Sequence, residues 1–372
     1  MRRRFSFIIF FLFSFIFSLA LPHFLYAQEI TTNNGKRLIM GVKTSTPPKI
    51  DGDISDEAWK SAAKAESFWD NQNGIRVADQ TTSYILYDEK FIYVAFLCRD
   101  SQPDKIYARE NVRDYRYANR GGDGGGDNID EDAVEIIFDC FKSHRFEDLS
   151  RFSLNAIGTR SSKLGGGRGG KLEWSGDWEG SAKRVPEGWT AEFRIPWGIL
   201  NYPSSKQPIT LGINFERTQH RTQLGSIWSH IGSSGFLELE GQWMGVQVPQ
   251  NTFKPKFSIL PYILSLSGKE KTQLRTGADI RYTATPELTV VATINPDFAT
   301  VEGAVQSINF SRSERFVPER RPFFLEGQDY FRAGYFWTMG PYFYPNRIQT
   351  FDVGTKVYGK ISPKDTDRKS VV

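Results

Sequence analysis

Three tryptophans in this 372-residue sequence sit where an indole ring could meet a ligand. Trp174 and Trp178 lie in the run KLEWSGDWEG, among glycine and polar residues, with Asp177 and Glu179 alongside. Trp69 lies in SFWDNQNG, beside Asp70, Asn71 and Asn73. A flat apolar face flanked by carboxylates and amides suits stacking on a sugar ring while its hydroxyls are held. Trp69, Trp174 and Trp178 are therefore the candidate carbohydrate platform. The competing reading is that they are loop aromatics packed on the edge of a core. Trp59, Trp189 and Trp243 occupy capping or alternating contexts and are expected inside.

A second cluster is acidic: Asp123, Asp127, Asp130 and Asp132, with Glu131 among them. Carboxylates so crowded could hold calcium through oxygen ligands, although the spacing is not that of the twelve-residue sensor loop. A solvated acidic loop is the alternative, since the charges repel when no ion is present. Catalysis has little support. The four histidines, His23, His144, His220 and His230, show no zinc spacing, and neither His-Glu-x-x-His nor Gly-x-Ser-x-Gly occurs. A glycosidase needs two carboxylates about 5–10 Å apart, and nothing singles out such a pair among 43 acids. The glycine-rich stretches Gly121–Asp127 and Gly165–Gly170 precede no helix, so they read as mobile loops rather than phosphate cradles.

Short alternating segments must position these groups. Thr82–Tyr87 and Phe91–Cys98 flank Asp88-Glu89-Lys90 as a hairpin, and Phe91–Cys98 is apolar at both parities, as in a central strand covered on both faces. Ala133–Cys140, Arg151–Ile157, Leu211–Phe215 and Leu237–Val248 continue the pattern. In Trp189–Ile195, Trp189, Ala191, Phe193 and Ile195 face one way, with Thr190, Glu192 and Arg194 opposite. Before them, Ile50 closes an extended run, Asp51-Gly52 turns the chain, and Asp53 or Ser55 can cap a short helix carrying Trp59 inward, a lid with a plug. No long apolar 3.6 period occurs, and strands at this spacing favour a sandwich. From about Asn251 the alternating runs lengthen: Phe257–Leu266, Ala278–Ala284, Leu288–Ile294 and Phe351–Ile361, with aromatics crowded between Tyr330 and Tyr344. That pattern suits a membrane barrel or an ordinary β-domain. Four or five strands cannot close a barrel, which takes at least about eight, so a fragment of a longer protein is expected. The fold class is thus all-β: an antiparallel β-sandwich followed by antiparallel strands of an incomplete β-barrel.

Met1-Arg2-Arg3-Arg4, the apolar run from Phe5 to Tyr26, and Ala27 before Gln28-Glu29 read as a secretory signal, with an uncleaved anchor as the rival. Its removal lowers Lys+Arg from 47 to 44 against 43 acids. A nearly neutral remainder gives no support to nucleic-acid binding. Cys98 and Cys140 could pair in an exported chain or stay buried and unpaired. The expected divisions are a signal (1–27), a polar linker (28–46), a sandwich (47–250) and barrel-type strands (251–372).

Two stretches carry a resemblance. PPKIDGDISDEAWKSA and GWTAEFRIPW resemble the family 9 carbohydrate-binding module, a jelly-roll-like β-sandwich. INPDFATVEGAVQSINFSRSERFVPERRPFFLEGQDYF is similar to the start of a domain of unknown function that follows such modules in bacterial outer-membrane proteins, where it forms a barrel. The resemblance implies an exported carbohydrate-binding protein at the outer membrane, serving glycan capture or carbohydrate catabolism. Calcium in some modules of the family adds to the acidic-loop reading. Within the second stretch, Arg312, Arg315, Arg320 and Arg321 with Glu314, Glu319 and Glu326 could form a barrel plug, but a salt-bridged connector between sandwich and barrel is preferred.

Overall fold

Side chains of an extended chain alternate between faces, so each half-apolar segment must pair edgewise and bury one side. The computed structural model describes residues 30–31, 36–115, 130–168, 176–250, 255–267, 272–285, 288–296, 321–331, 335–336, 340–341, 345, 348, 351–360 and 366–371. The signal read at 1–27 lies outside them. The strands are β1 (Ile30–Thr31), β2 (Arg37–Met40), β3 (Ala63–Ala65), β4 (Trp69–Asp70), β5 (Thr81–Tyr87), β6 (Phe91–Arg99) and β7 (Ala133–Asp139). Then come β8 (Ser150–Asn155), β9 (Arg160–Lys163), β10 (Glu179–Val185), β11 (Gly188–Pro196), β12 (Ile209–Gln219), β13 (Leu224–Ile227) and β14 (Gly241–Val246). The last group is β15 (Lys256–Ser267), β16 (Thr272–Thr283), β17 (Leu288–Ile294), β18 (Tyr335–Phe336), β19 (Gly340–Pro341), β20 (Val353–Lys360) and β21 (Thr366–Val371).

Two sheets make the sandwich. One runs β1-β2-β14-β12-β7-β8-β9, with β13 and β4 added beside β12; the other runs β10-β11-β6-β5-β3. All pairs are antiparallel except β14 with β2. Rings interlock between the sheets: Phe96 of β6 meets Phe215 of β12 at 5.8 Å, and Tyr87 meets Trp243 edge-on at 5.6 Å. Strand β6 is central, and its Ile92 to Cys98 are all buried, as apolar residues at both parities require. Its outer cover is the segment before β3. There the short helix Glu57–Lys60 carries Trp59, whose indole N–H donates to Glu192 Oε1 at 2.8 Å. Glu192 Oε2 accepts the backbone N–H of Gly52 and Asp51. So Glu192, although on the polar parity of β11, is buried beneath the lid, and the plug reading holds. The cap differs: the residue before the helix is Asp56, whose carboxylate accepts from Lys49 N–H and not from the helix. Asp51 and Asp53 instead accept from the N–H two residues on, spending their side chains on the turns.

Beyond the sandwich, β15-β16-β17-β20-β21 form an open five-stranded antiparallel sheet, and no closed barrel is present among the described residues. Helical turns Pro322–Leu325 and Gln328–Phe331 pack on one face of it, where Arg281 faces Glu326 at 3.4 Å and the Tyr358 hydroxyl donates to Glu326. Arg321 donates to the carbonyls of Pro345 and Ile348. The remainder of the charged string up to Arg320 lies outside the described residues. Gly165–Gly167, read above as part of a mobile loop, is a buried 3-10 turn that receives this unit. Gly327 N–H donates to Gly167 O at 2.8 Å, and Tyr330 lies against Gly166. A bare backbone there lets the aromatic ring approach, so the stretch is an ordered seat and not a mobile loop. Cys98 and Cys140 are both buried and unpaired, with burial pushing each thiol up to about 12.

Candidate functional site

A cleft of about 150 Å³ opens where β12 turns into β13, lined by Val77, Asp79, Ser101, Gln219, Arg221 and Leu224, among others. Three chain segments meet there: the run leading into β5, the turn after β6, and the β12–β13 connection. Asp79 arrives just before β5, and its Oδ1 accepts Ser101 N–H at 3.0 Å. Asp79 Oδ2 accepts from Arg221 at 2.6 Å and from Gln219 at 2.8 Å. Arg221 also reaches Asp100 Oδ1 at 3.1 Å, and the deeper Arg217 reaches Asp100 Oδ2 at 3.3 Å. Two carboxylates and two guanidiniums therefore alternate, with Gln219 bridging both acids. Burial presses the Asp79 carboxyl upward and is its largest single influence. Hydrogen bonds from Gln219 and Ser101 and the Arg221 charge together outweigh it, leaving the group below its usual range.

This arrangement is a pre-formed hydrogen-bonding surface. The Arg221 side chain is about 20% exposed and that of Asp79 about 14%, so both reach the cleft from fixed positions. Apolar contact comes from Val77 and from Leu224, which is exposed at the rim. Nearby, His220 packs against the exposed ring of Tyr107, centroids 4.5 Å apart and planes tilted by 32°.

The sequence-predicted residues fall unevenly around this cleft. Trp69 is half-buried on β4, opposite Ile227 of β13. Its neighbour Asp70 is opposite Ser226, a cleft residue, so Trp69 stands one strand away from the cleft. Trp178 is not a platform. It is 1% exposed, stacks on Phe193 at 5.6 Å and meets Phe152 edge-on at 5.5 Å. It directly precedes β10, and in an extended segment the polar neighbours Asp177 and Glu179 point away from the core as the indole points in. Trp174 lies outside the described residues, as do Asp123 and Asp127. Asp130 is exposed, whereas Asp132 is fully buried and accepts Tyr107 N–H at 2.9 Å. Glu131 accepts from Arg109 and Glu110 N–H, from the Tyr115 hydroxyl and from Asn155. These acids brace the loop backbone, and Asp130, Glu131 and Asp132 do not converge as a group of three metal donors.

Sequence reasoning missed Asp79, Ser101, Gln219 and Arg221, because each is an ordinary polar residue and only the fold unites them. One signal was available: the polar run TQHRTQ directly ending an apolar strand.

Residues 50–230 match the family described as carbohydrate family 9 binding domain-like, and residues 253–360 match a domain of unknown function, DUF5916. Among solved structures, one similar to this chain is a carbohydrate binding module family 9 from Caldicellulosiruptor kristjanssonii in complex with cellotriose. It is 15% identical, with 59% of this chain and 98% of that one covered and a TM-score of 0.38. A putative carbohydrate-binding protein from Bacteroides uniformis is 12% identical, with 56% and 98% covered and a TM-score of 0.39. No curated protein matches. The chain thus carries a family 9-like β-sandwich domain followed by a DUF5916 region.

Proposed function

We propose that residues 47–250 bind carbohydrate and that the Asp79–Arg221 cleft is where they do so. The observation that carries this reading is the match of residues 50–230 to the family 9 binding domain. The cleft supports it with fixed donors and acceptors beside apolar side chains, the mixture a sugar's hydroxyls and C–H faces call for. Hydrolysis is the weaker reading. A glycosidase acid must keep its proton near neutral pH, whereas the hydrogen-bonded, Arg221-paired Asp79 is held low. A glycan-array screen of the purified chain tests this. Retention of an oligosaccharide without cleavage is expected, with binding at least tenfold weaker in Arg221→Ala. A blank array, or affinity unchanged by that substitution, would count against the reading; released sugar would favour the hydrolase.

We further propose export through the N-terminal segment and a membrane position for the second unit as part of a barrel wall. The open sheet supports this by its polarity. Phe257, Ile259 and Ile263 of β15, Leu274 and Tyr282 of β16, Ile294 of β17 and Val353 of β20 are exposed on one face. The opposite face carries Asp279, Arg281 and Lys356, covered by the Glu326 segment. Apolar outside and charged inside inverts a water-soluble sheet and is the polarity of a barrel wall in lipid. Among the described residues no helix is long and apolar enough to cross a membrane, which says nothing about crossing by strands.

A further inference from the structure

At the far end of β7 and β12 from the cleft, three side chains converge that carbohydrate binding does not use. Asp139 closes β7 and is fully buried. Its carboxylate accepts Ser143 N–H at 3.0 Å and His144 N–H at 2.8 Å, so the turn is wrapped around it. His144 has a left-handed backbone (φ 54°), and its Nδ1 lies 3.1 Å from Leu237 O and 3.3 Å from Glu240 Oε1. Glu240 is 3% exposed, and its Oε1 is buried without a hydrogen-bond partner. Gly212 of β12 leaves room for it: a Cβ there would come within 2.4 Å of that oxygen.

We propose that Asp139, His144 and Glu240 form a binding site for a divalent transition metal of the zinc class. One ligand atom from each lies within 4.8 Å of the other two. Two buried carboxylates this close need a cation or a shared proton between them. An unpartnered, buried Glu240 oxygen aimed at the imidazole is placed as a ligand would be. Imidazole selects the metal class, because calcium prefers six to eight oxygens whereas zinc takes mixed nitrogen and oxygen sets. The 3.3 Å between His144 Nδ1 and Glu240 Oε1 is a separation that two bonds of about 2.0–2.2 Å to one ion span. The ion would tie the turn after β7 to the segment entering β14.

The site is independent of the sugar cleft. Gly212 is opposite Asp139 and Thr218 opposite Ala133. The cleft residues beyond Thr218 are therefore about 20 Å distant along the strand, so loss of glycan binding and loss of metal binding are separable results.

The test uses the full-length protein, stripped with a chelator and then given Zn²⁺, with Co²⁺ as a coloured substitute. Zn²⁺ is expected to raise the melting temperature by a few degrees, because an ion bound only to the folded state stabilises it. Co²⁺ should show the intense visible bands of a low-symmetry, four-coordinate site. His144→Asn keeps a residue that tolerates the left-handed backbone and should weaken Zn²⁺ binding at least tenfold; Glu240→Gln should do the same. Superimposable melts with Zn²⁺ and chelator would overturn the proposal in favour of a shared proton. So would stabilisation by Ca²⁺ alone, or a Zn²⁺ response surviving both substitutions. The Co²⁺ spectrum of the unsubstituted protein tests the site without relying on any variant: the pale spectrum of the aqueous ion also overturns it.

Discussion

Glu192 of β11 accepts from the Trp59 indole on one carboxylate oxygen and from the Gly52 N–H on the other. On parity it belongs with Thr190 and Arg194 on a solvent face, yet it is fully buried beneath Trp59 and the Asp51-Gly52 turn. Burial raises its pKa from 4.5 to about 7, against the opposing pull of the Trp59, Gly52 and Asp51 hydrogen bonds. The folded chain therefore holds that proton more tightly than the unfolded one. The resulting stabilisation is complete below about pH 4.5 and is lost as pH rises through about 7. In Glu192→Gln the gap between the denaturant midpoints at pH 5 and pH 8 should shrink, with tryptophan emission as the readout; a gap equal to the wild type's would refute this. Trp178 gives a second test at this scale. As a ring stacked in the core it should lose roughly 3–5 kcal/mol of stability when cut to alanine, in line with large core truncations. A melt unchanged by Trp178→Ala would restore it as a surface platform. The sequence could not settle Trp178 because glycine and polar neighbours mark both a loop and the start of an edge strand such as β10.

Elements were more legible than residues. β6, β7, β11 and β17 follow directly from alternation or from apolar runs at both parities, since pairing and burial leave few other options for such segments. The glycine turn was illegible for the converse reason. Glycine at 165–167 has no side chain to show a pattern, and its role depends on Tyr330, more than 160 positions later. At Gly166 the backbone is left-handed (φ 74°), and a Cβ would lie 2.1 Å from the Tyr330 ring. Gly166→Ala should therefore cost about 1–2 kcal/mol through the backbone alone, plus the displaced ring. The two parts separate in a double-mutant cycle with Tyr330→Ala. A coupling of at least about 0.5 kcal/mol is expected where two residues touch. Strictly additive losses would mean that the turn does not seat the second unit.

Across the whole molecule, two kinds of β-structure meet with opposite polarity. The sandwich hides its rings between two sheets, whereas the open sheet turns apolar rows outward. Phe257, Tyr282, Val290 and Val357 form one such row across four strands, and Ile259, Ile280, Ala292 and Thr355 the next. Between them, on the other face, Arg281, Val291 and Lys356 align, and Val291 and Lys356 are buried. If the outer rows face hydrocarbon, adjacent residues of one strand must report different surroundings, a contrast that an ordinary two-layer soluble domain would reverse. The chain is suited to testing this by labelling, because Cys98 and Cys140 are buried with thiols pushed up to about 12 and should resist reagents that attack thiolates. A cysteine placed at Val290 or at the adjacent Thr289 then carries a polarity-sensitive fluorophore in protein reconstituted into lipid vesicles. The probe at 290 should be blue-shifted and quenched by lipids bearing bromine on their acyl chains, whereas the probe at 289, on the covered face where Thr289 is buried, should escape that quenching. A lysine at Ile280, in the middle of the outer band, should weaken insertion by up to about 2–4 kcal/mol, the cost of such a charge near the bilayer midplane. Emission at 290 that bromolipids do not quench, together with unimpaired insertion of Ile280→Lys, would show that this face meets water or protein instead of lipid.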